Sequence, residues 1–187
     1  MIADFIKQNY PPEETRADFC MALKMVFLFV IIKSRGGFMG LFDMFKKPKQ
    51  NIKNTNSEWT VYAQKMCATA VEYANEFNKK LDYSENSIAD LEKILDWYSN
   101  DIAISKPTEN QIWSMAIIFG SYLGETLLRN GLSQKGFVWG KEDSSNVPLL
   151  IKDDGTYLTP NDKIYKRLVN GSEDSVVSFY RFATKEI

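Results

Sequence analysis

Apolar residues recur at steps of three or four from Trp59 through Tyr62, Met66, Ala70, Tyr73 and Phe77 to Leu81. That period predicts an amphipathic helix over about residues 57–81. Cys67 lies beside the stripe and reads as a small buried hydrophobe. A second helix is expected from Glu85 to Tyr98, with Ile88, Leu91, Leu95 and Tyr98 on one face. Ser84 stands where it can cap that helix, and Tyr83 with Ile88 has hydrophobic-staple spacing. Residues 99–106 read as a connector. A third helix runs from Thr108 to about Asn130, with Gly131 as its stop. Thr108 and Gln111 have capping-box spacing. Ile112, Trp113, Ala116, Ile117, Ile118, Phe119, Leu123, Leu127 and Leu128 make this helix apolar over most of its circumference, which places it at the centre of the domain.

The period then changes. Residues 136–139 read as a strand, residues 147–151 as a buried second strand, and residues 156–158 as a short third one after the Asp153-Asp154-Gly155 turn. Pro160 opens a fourth helix that stops at Asn170-Gly171. Ser172-Glu173-Asp174 caps a last helix carrying Val176, Val177, Phe179, Tyr180 and Phe182. The expected fold is therefore α+β. It has an N-terminal three-helix layer, a three-stranded antiparallel meander and two C-terminal helices, in a single domain over residues 57–187.

Residues 1–56 read as an extension and linker. The apolar run from Met21 to Ile32 is short for a bilayer span and contains Lys24. Glu13, Glu14 and Asp18 precede it and no small-residue cleavage site follows, which speaks against a signal peptide. Met39-Gly40-Leu41-Phe42 looks like a bacterial protein start, and the Arg35-Gly36-Gly37 codons fit a translated ribosome-binding site. Translation is therefore expected to begin at Met39. Residues 41–45 form a small amphipathic tip that reads as a frayed terminus, with membrane or partner contact as the alternative.

Composition narrows the function. The formal net charge of -1 leaves no basic excess for a phosphate backbone, so nucleic acid is not an expected partner. Two cysteines without metal-ligand spacing point to a reducing, cytoplasmic setting. The chain has no histidine, which removes Ser-His-Asp and Cys-His catalysis and His-ligated metal sites. No Walker loop, GxSxG elbow or dinucleotide fingerprint is present. Asp153-Asp154-Gly155 lacks the ligand ladder of a calcium loop. No cofactor, metal or catalytic residue is assigned.

The most distinctive segment is Gly120-Ser121-Tyr122-Leu123-Gly124-Glu125. Its glycines lie on one side of a helix, which fits either a close backbone neighbour or a shallow ligand notch. Glu125 and Arg129 have ion-pair spacing. With Ser114 and Ser121 they form a polar stripe that either meets solvent or lines a pocket. Trp139 and Tyr157 are either core aromatics or a binding surface. Lys163, Lys166 and Arg167 read as a solvated basic face.

From Leu81 onward, about 100 residues resemble an uncharacterised bacterial family, a domain of unknown function. The likeness rests on residues 81–85, the GSYLGE segment, Trp139, Val147-Pro148, and the stretch from Pro160 through Lys166-Arg167-Leu168 to Asn170-Gly171. It implies an α+β domain and leaves activity open. The first functional expectation is a non-catalytic protein-interaction module of the bacterial cytosol, immunity-type or regulatory. Its candidate contacts are Tyr122, Glu125, Arg129, Trp139 and Tyr157. The second is a ligand-binding or hydrolytic domain using Glu125 with Arg129 and Tyr122. The third is a membrane-associated protein anchored by its N-terminal segment; membrane contact is otherwise not expected. Intact-mass analysis of the natively expressed protein should return a chain starting at Met39; a mass that includes residues 1–38 overturns that start.

Overall fold

The computed structural model of the protein describes residues 56–141 and 147–187. The apolar run 21–32, the tip 41–45 and the expected start at Met39 lie outside the described residues. Five α-helices and a three-stranded antiparallel sheet are present among the described residues.

Helix α1 spans Asn56–Glu76. Its buried seam is Ala63, Cys67, Ala70 and Ala74, each almost fully enclosed. The large residues expected to form the stripe stand beside this seam instead. Tyr62 is 36% exposed and its neighbour Val61 66%. Small side chains let α1 approach α3 closely, and the large ones close the flanks. Tyr73 of α1 meets Phe119, and Phe77 just beyond α1 meets Trp97 and Tyr98, in edge-on or tilted ring contacts 5.3–6.3 Å apart.

Helix α2 spans Glu85–Ser105, with the Ser84 hydroxyl accepting from the Ser87 N–H at 3.3 Å. It runs past the expected end at Tyr98 because residues 99–105 contain no breaker. Lys106, at φ 46°, and Pro107 then end it. Helix α3 spans Glu109–Leu127. The Thr108 N–H donates to Gln111 Oε1 at 2.8 Å, the bond that the capping-box spacing predicted. From Ile118 to Leu127 every residue is buried, so α3 is the central helix. It leaves through a wide turn, Leu128–Leu132, in which Gly131 takes φ 129°.

Strand β1 (Val138–Lys141) pairs with β2 (Pro148–Ile151), which pairs with β3 (Tyr157–Leu158). Trp139 lies opposite Leu150, and Leu150 opposite Leu158. All of β2 is buried. Helix α4 (Pro160–Asn170) begins on Pro160 and stops at Gly171. A 3-10 turn, Ser172–Asp174, leads into α5 (Val176–Glu186).

The expected basic face on α4 is corrected. Arg167 is 1% exposed. Its Nε donates to Glu92 and its Nη2 to Asp96 at 2.9 Å, both on α2. The second oxygen of Glu92 accepts the Val176 N–H at 2.7 Å, the Val177 N–H at 3.1 Å and the Ser175 hydroxyl at 3.0 Å. One carboxylate thus pairs with a buried guanidinium and satisfies two of the open N–H groups of α5, while Ser175 Oγ accepts from the Ser178 N–H at 3.3 Å. Lys163 is paired with Asp174 at 2.8 Å. Of the three basic residues only Lys166 is exposed.

Removing Glu92 leaves Arg167 with Asp96 alone and strips α5 of its acceptor. Glu92→Ala is expected to cost about 3 kcal/mol in urea unfolding, the lower end of the range for a broken buried pair. Asp96→Ala, at a side chain 59% exposed, should cost less than about 1 kcal/mol. Equal losses would contradict this division.

Candidate functional site

Tyr122, Glu125 and Arg129 follow one another on the same side of α3 and its exit turn. Their spacing of three and four residues stacks side chains along a helix. Strand β1 brings Trp139 against this side, and the link between α1 and α2 brings Tyr83. Four of the five residues expected as contacts therefore meet in one cluster. Tyr157 stands apart on β3, 46% exposed.

Glu125 is buried and both of its oxygens are engaged. Oε1 accepts from Arg129 Nε at 2.9 Å, and Oε2 accepts from the Trp139 indole N–H at 3.1 Å. Trp139 is 1% exposed and offers no outer surface. Its ring lies where a Cβ at position 124 would stand, 2.3 Å from Trp139 Cη2. Gly124 is therefore the seat of the indole. Gly120 does the same for α4, since its Cβ would come within 2.6 Å of the Asn161 Cα. Asn161 in turn donates to the Pro148 carbonyl at 2.6 Å. The notch implied by the two glycines is thus filled, by β1 at one end and α4 at the other.

The Tyr122 hydroxyl accepts the Tyr83 N–H at 2.9 Å and lies 2.6 Å from Ser87 Oγ. The one hydrogen of Ser87 goes to the Ser84 carbonyl, so Tyr122 donates to Ser87. This fixes the link in which Tyr83 adopts φ 64°. Asn130 holds the same link from outside, donating to the Tyr83 carbonyl at 2.8 Å and to the Thr126 carbonyl at 2.7 Å. The Tyr83 and Tyr122 rings stack at 5.0 Å.

Arg129 is the outer member. Its side chain is 49% exposed, and its guanidinium carbon sits 3.7 Å from the centre of the Tyr83 ring. Burial pushes the Tyr83 phenol up, and burial likewise raises Tyr122. Cys67 lies within the electrostatic reach of Glu125 and Arg129. Burial first, and then the Glu125 charge, push its thiol up to about 12. It stays protonated at neutral pH and is a poor nucleophile. The expected polar stripe reaches solvent only in part. Ser121 is fully buried and Glu125 nearly so, while half-buried Ser114, bonded back to the Asn110 carbonyl at 2.8 Å, and Arg129 stand at its outer ends.

Sequence reading missed Ser87 and Asn130, and saw Tyr83 only as a staple. Their contacts within the cluster reach up to 47 residues along the chain, beyond any local pattern. A separate groove of about 400 Å³ lies over the Arg167 ion pairs, lined by Glu92, Lys93, Asp96, Arg167, Ser172 and Ser175. Among the described residues no group of His, Cys, Asp or Glu has the arrangement of a metal site.

No family model, no curated protein and no solved structure matches this chain.

The seat under Trp139 is directly testable. Gly124→Ala gains about 1 kcal/mol of helix propensity and collides with a ring held by Glu125. Overpacking of this kind costs about 1–3 kcal/mol. A net loss of stability with red-shifted tryptophan emission is expected; an unchanged or raised melting temperature would contradict the seat.

Proposed function

We propose that this domain is a non-catalytic, regulatory or immunity-type protein-interaction module of the bacterial cytosol, and that it meets its partner on the face carrying Arg129 and Tyr83. The observation that carries the reading is the presentation of Arg129. A half-exposed guanidinium is held in place by a buried carboxylate on one edge and an aromatic ring on one face. Arginine and tyrosine are the residue types that most often supply binding energy at protein interfaces. The partner loses little by contacting a side chain already ordered.

The hydrolytic reading has weaker support. Glu125 is only 8% exposed and lies between the Trp139 indole and the Arg129 guanidinium, which leaves a substrate little access to its carboxylate. The membrane reading rests on residues 21–32 and 41–45, outside the described residues. Among the described residues no helix is long and apolar enough to cross a membrane.

Affinity capture from a native lysate, with the full chain as bait, tests the proposal. A stoichiometric protein partner is expected, bound at least about tenfold more weakly by Arg129→Ala, a loss of about 1.4 kcal/mol. Tyr157→Ala should leave it in place. Absence of any protein partner sinks the interaction reading. A partner lost with Tyr157→Ala and kept with Arg129→Ala moves the contact to the sheet edge.

A further inference from the structure

We infer that Arg129 is a fixed receiving fork for a carboxylate, so that the partner presents an acidic side chain to this face. The inference rests on the interaction reading above and adds the chemistry of the partner.

A guanidinium has five N–H donors in one plane and can meet a carboxylate along a side edge or across its far end. The side edge through Nε is taken, because Nε donates to Glu125 Oε1 at 2.9 Å. One face is taken by the Tyr83 ring at 3.7 Å. What remains is the far end, where Nη1 and Nη2 lie side by side. Among the described residues neither has an acceptor. That end matches the two oxygens of a carboxylate, in a pair of parallel charge-assisted hydrogen bonds.

The anchoring of this arginine reaches into the core. Glu125 is itself immobilised, since its other oxygen accepts from the buried indole of Trp139. Tyr83 is immobilised too, held through its backbone N–H by Tyr122 and through its carbonyl by Asn130. Both supports of the guanidinium are thus fixed from the core, which reduces the rotamer freedom left to lose on binding.

The local charge selects a carboxylate over a phosphate. Glu125 already balances Arg129. A doubly charged phosphate would meet one compensated cation and repulsion behind it. A singly charged carboxylate gains the two hydrogen bonds with less repulsion. Recognition here depends on the shape of the fork more than on net charge. Lysine cannot reproduce it.

The test uses the full 15N-labelled chain and follows the Arg129 Nε–H and the Asn130 backbone amide by NMR. The probes are an acetylated tetraglutamate amide, the matching tetraglutamine amide and inorganic phosphate. Tetraglutamate should shift both signals saturably. Tetraglutamine should give at least a tenfold weaker response, and phosphate a weaker one than tetraglutamate. Arg129→Gln and Arg129→Lys should both abolish the Asn130 response. Tyr83→Leu, which keeps Arg129 and removes its platform, should weaken it severalfold. Three results each overturn the inference: no saturable shift with tetraglutamate, a response that Arg129→Gln retains, or phosphate binding more tightly than tetraglutamate. A captured protein partner that depends on Arg129, found together with a silent titration, would leave the interaction reading standing and remove the carboxylate. A positive titration with no captured protein would do the reverse.

Discussion

The indole of Trp139 resting on Gly124 is the contact on which the rest of the structure depends. It brings the sheet against the central helix at a distance only a glycine allows. It also buries an N–H that must find an acceptor, because an orphaned donor in the core costs about 1–3 kcal/mol. Glu125, one residue further along α3, supplies that acceptor. A buried carboxylate in turn needs a counter-charge, and Arg129, one turn on, supplies it from the edge. Three side chains thus answer one another's requirements in sequence, from a dry interior to a wet rim.

The same chain of requirements accounts for the aromatic surroundings. The guanidinium is half exposed and covers the Tyr83 ring, so the ring is shielded and the cation is oriented. Tyr122 braces the Tyr83 backbone in a left-handed conformation that is uncommon for a bulky residue. Each of these contacts is modest when taken singly. Together they leave the guanidinium little room to reorient, and this rigidity, rather than any reactive group, is the distinguishing property of the site.

The elements most legible in the sequence were those set by local rules. The capping box at Thr108 and Gln111, the apolar circumference of α3, the proline that opens α4 and the turn before β3 each depend on residues a few positions apart. The readings that missed were governed by distant partners. On α1, Cys67 and Ala70 were read as buried, but Ala63 and Ala74 were passed over for bulkier residues, whereas contact with α3 selected small side chains that permit the approach. Arg167 looked like a solvated cation because Glu92 and Asp96 lie 75 and 71 residues away. The candidate cluster was half visible. The spacing of Tyr122, Glu125 and Arg129 along one helix marked it, while Tyr83, Ser87 and Asn130 gave no sign of joining. Trp139 was left open between core and binding surface, and the choice falls to the core because its ring rests on Gly124 and its N–H on Glu125, contacts that the sequence does not show.

The carboxylate of Glu92 also bears on the order in which the chain folds. Its bonds to Arg167, Ser175, Val176 and Val177 close loops of 75–85 residues. Closing such loops costs entropy that no local helix formation returns. The acceptor for the start of α5 becomes complete only once α2 and α4 have met and Arg167 has oriented Glu92. Docking of α5 is therefore a late event in assembly, and the C-terminal segment acts as a bolt drawn across two helices already in contact.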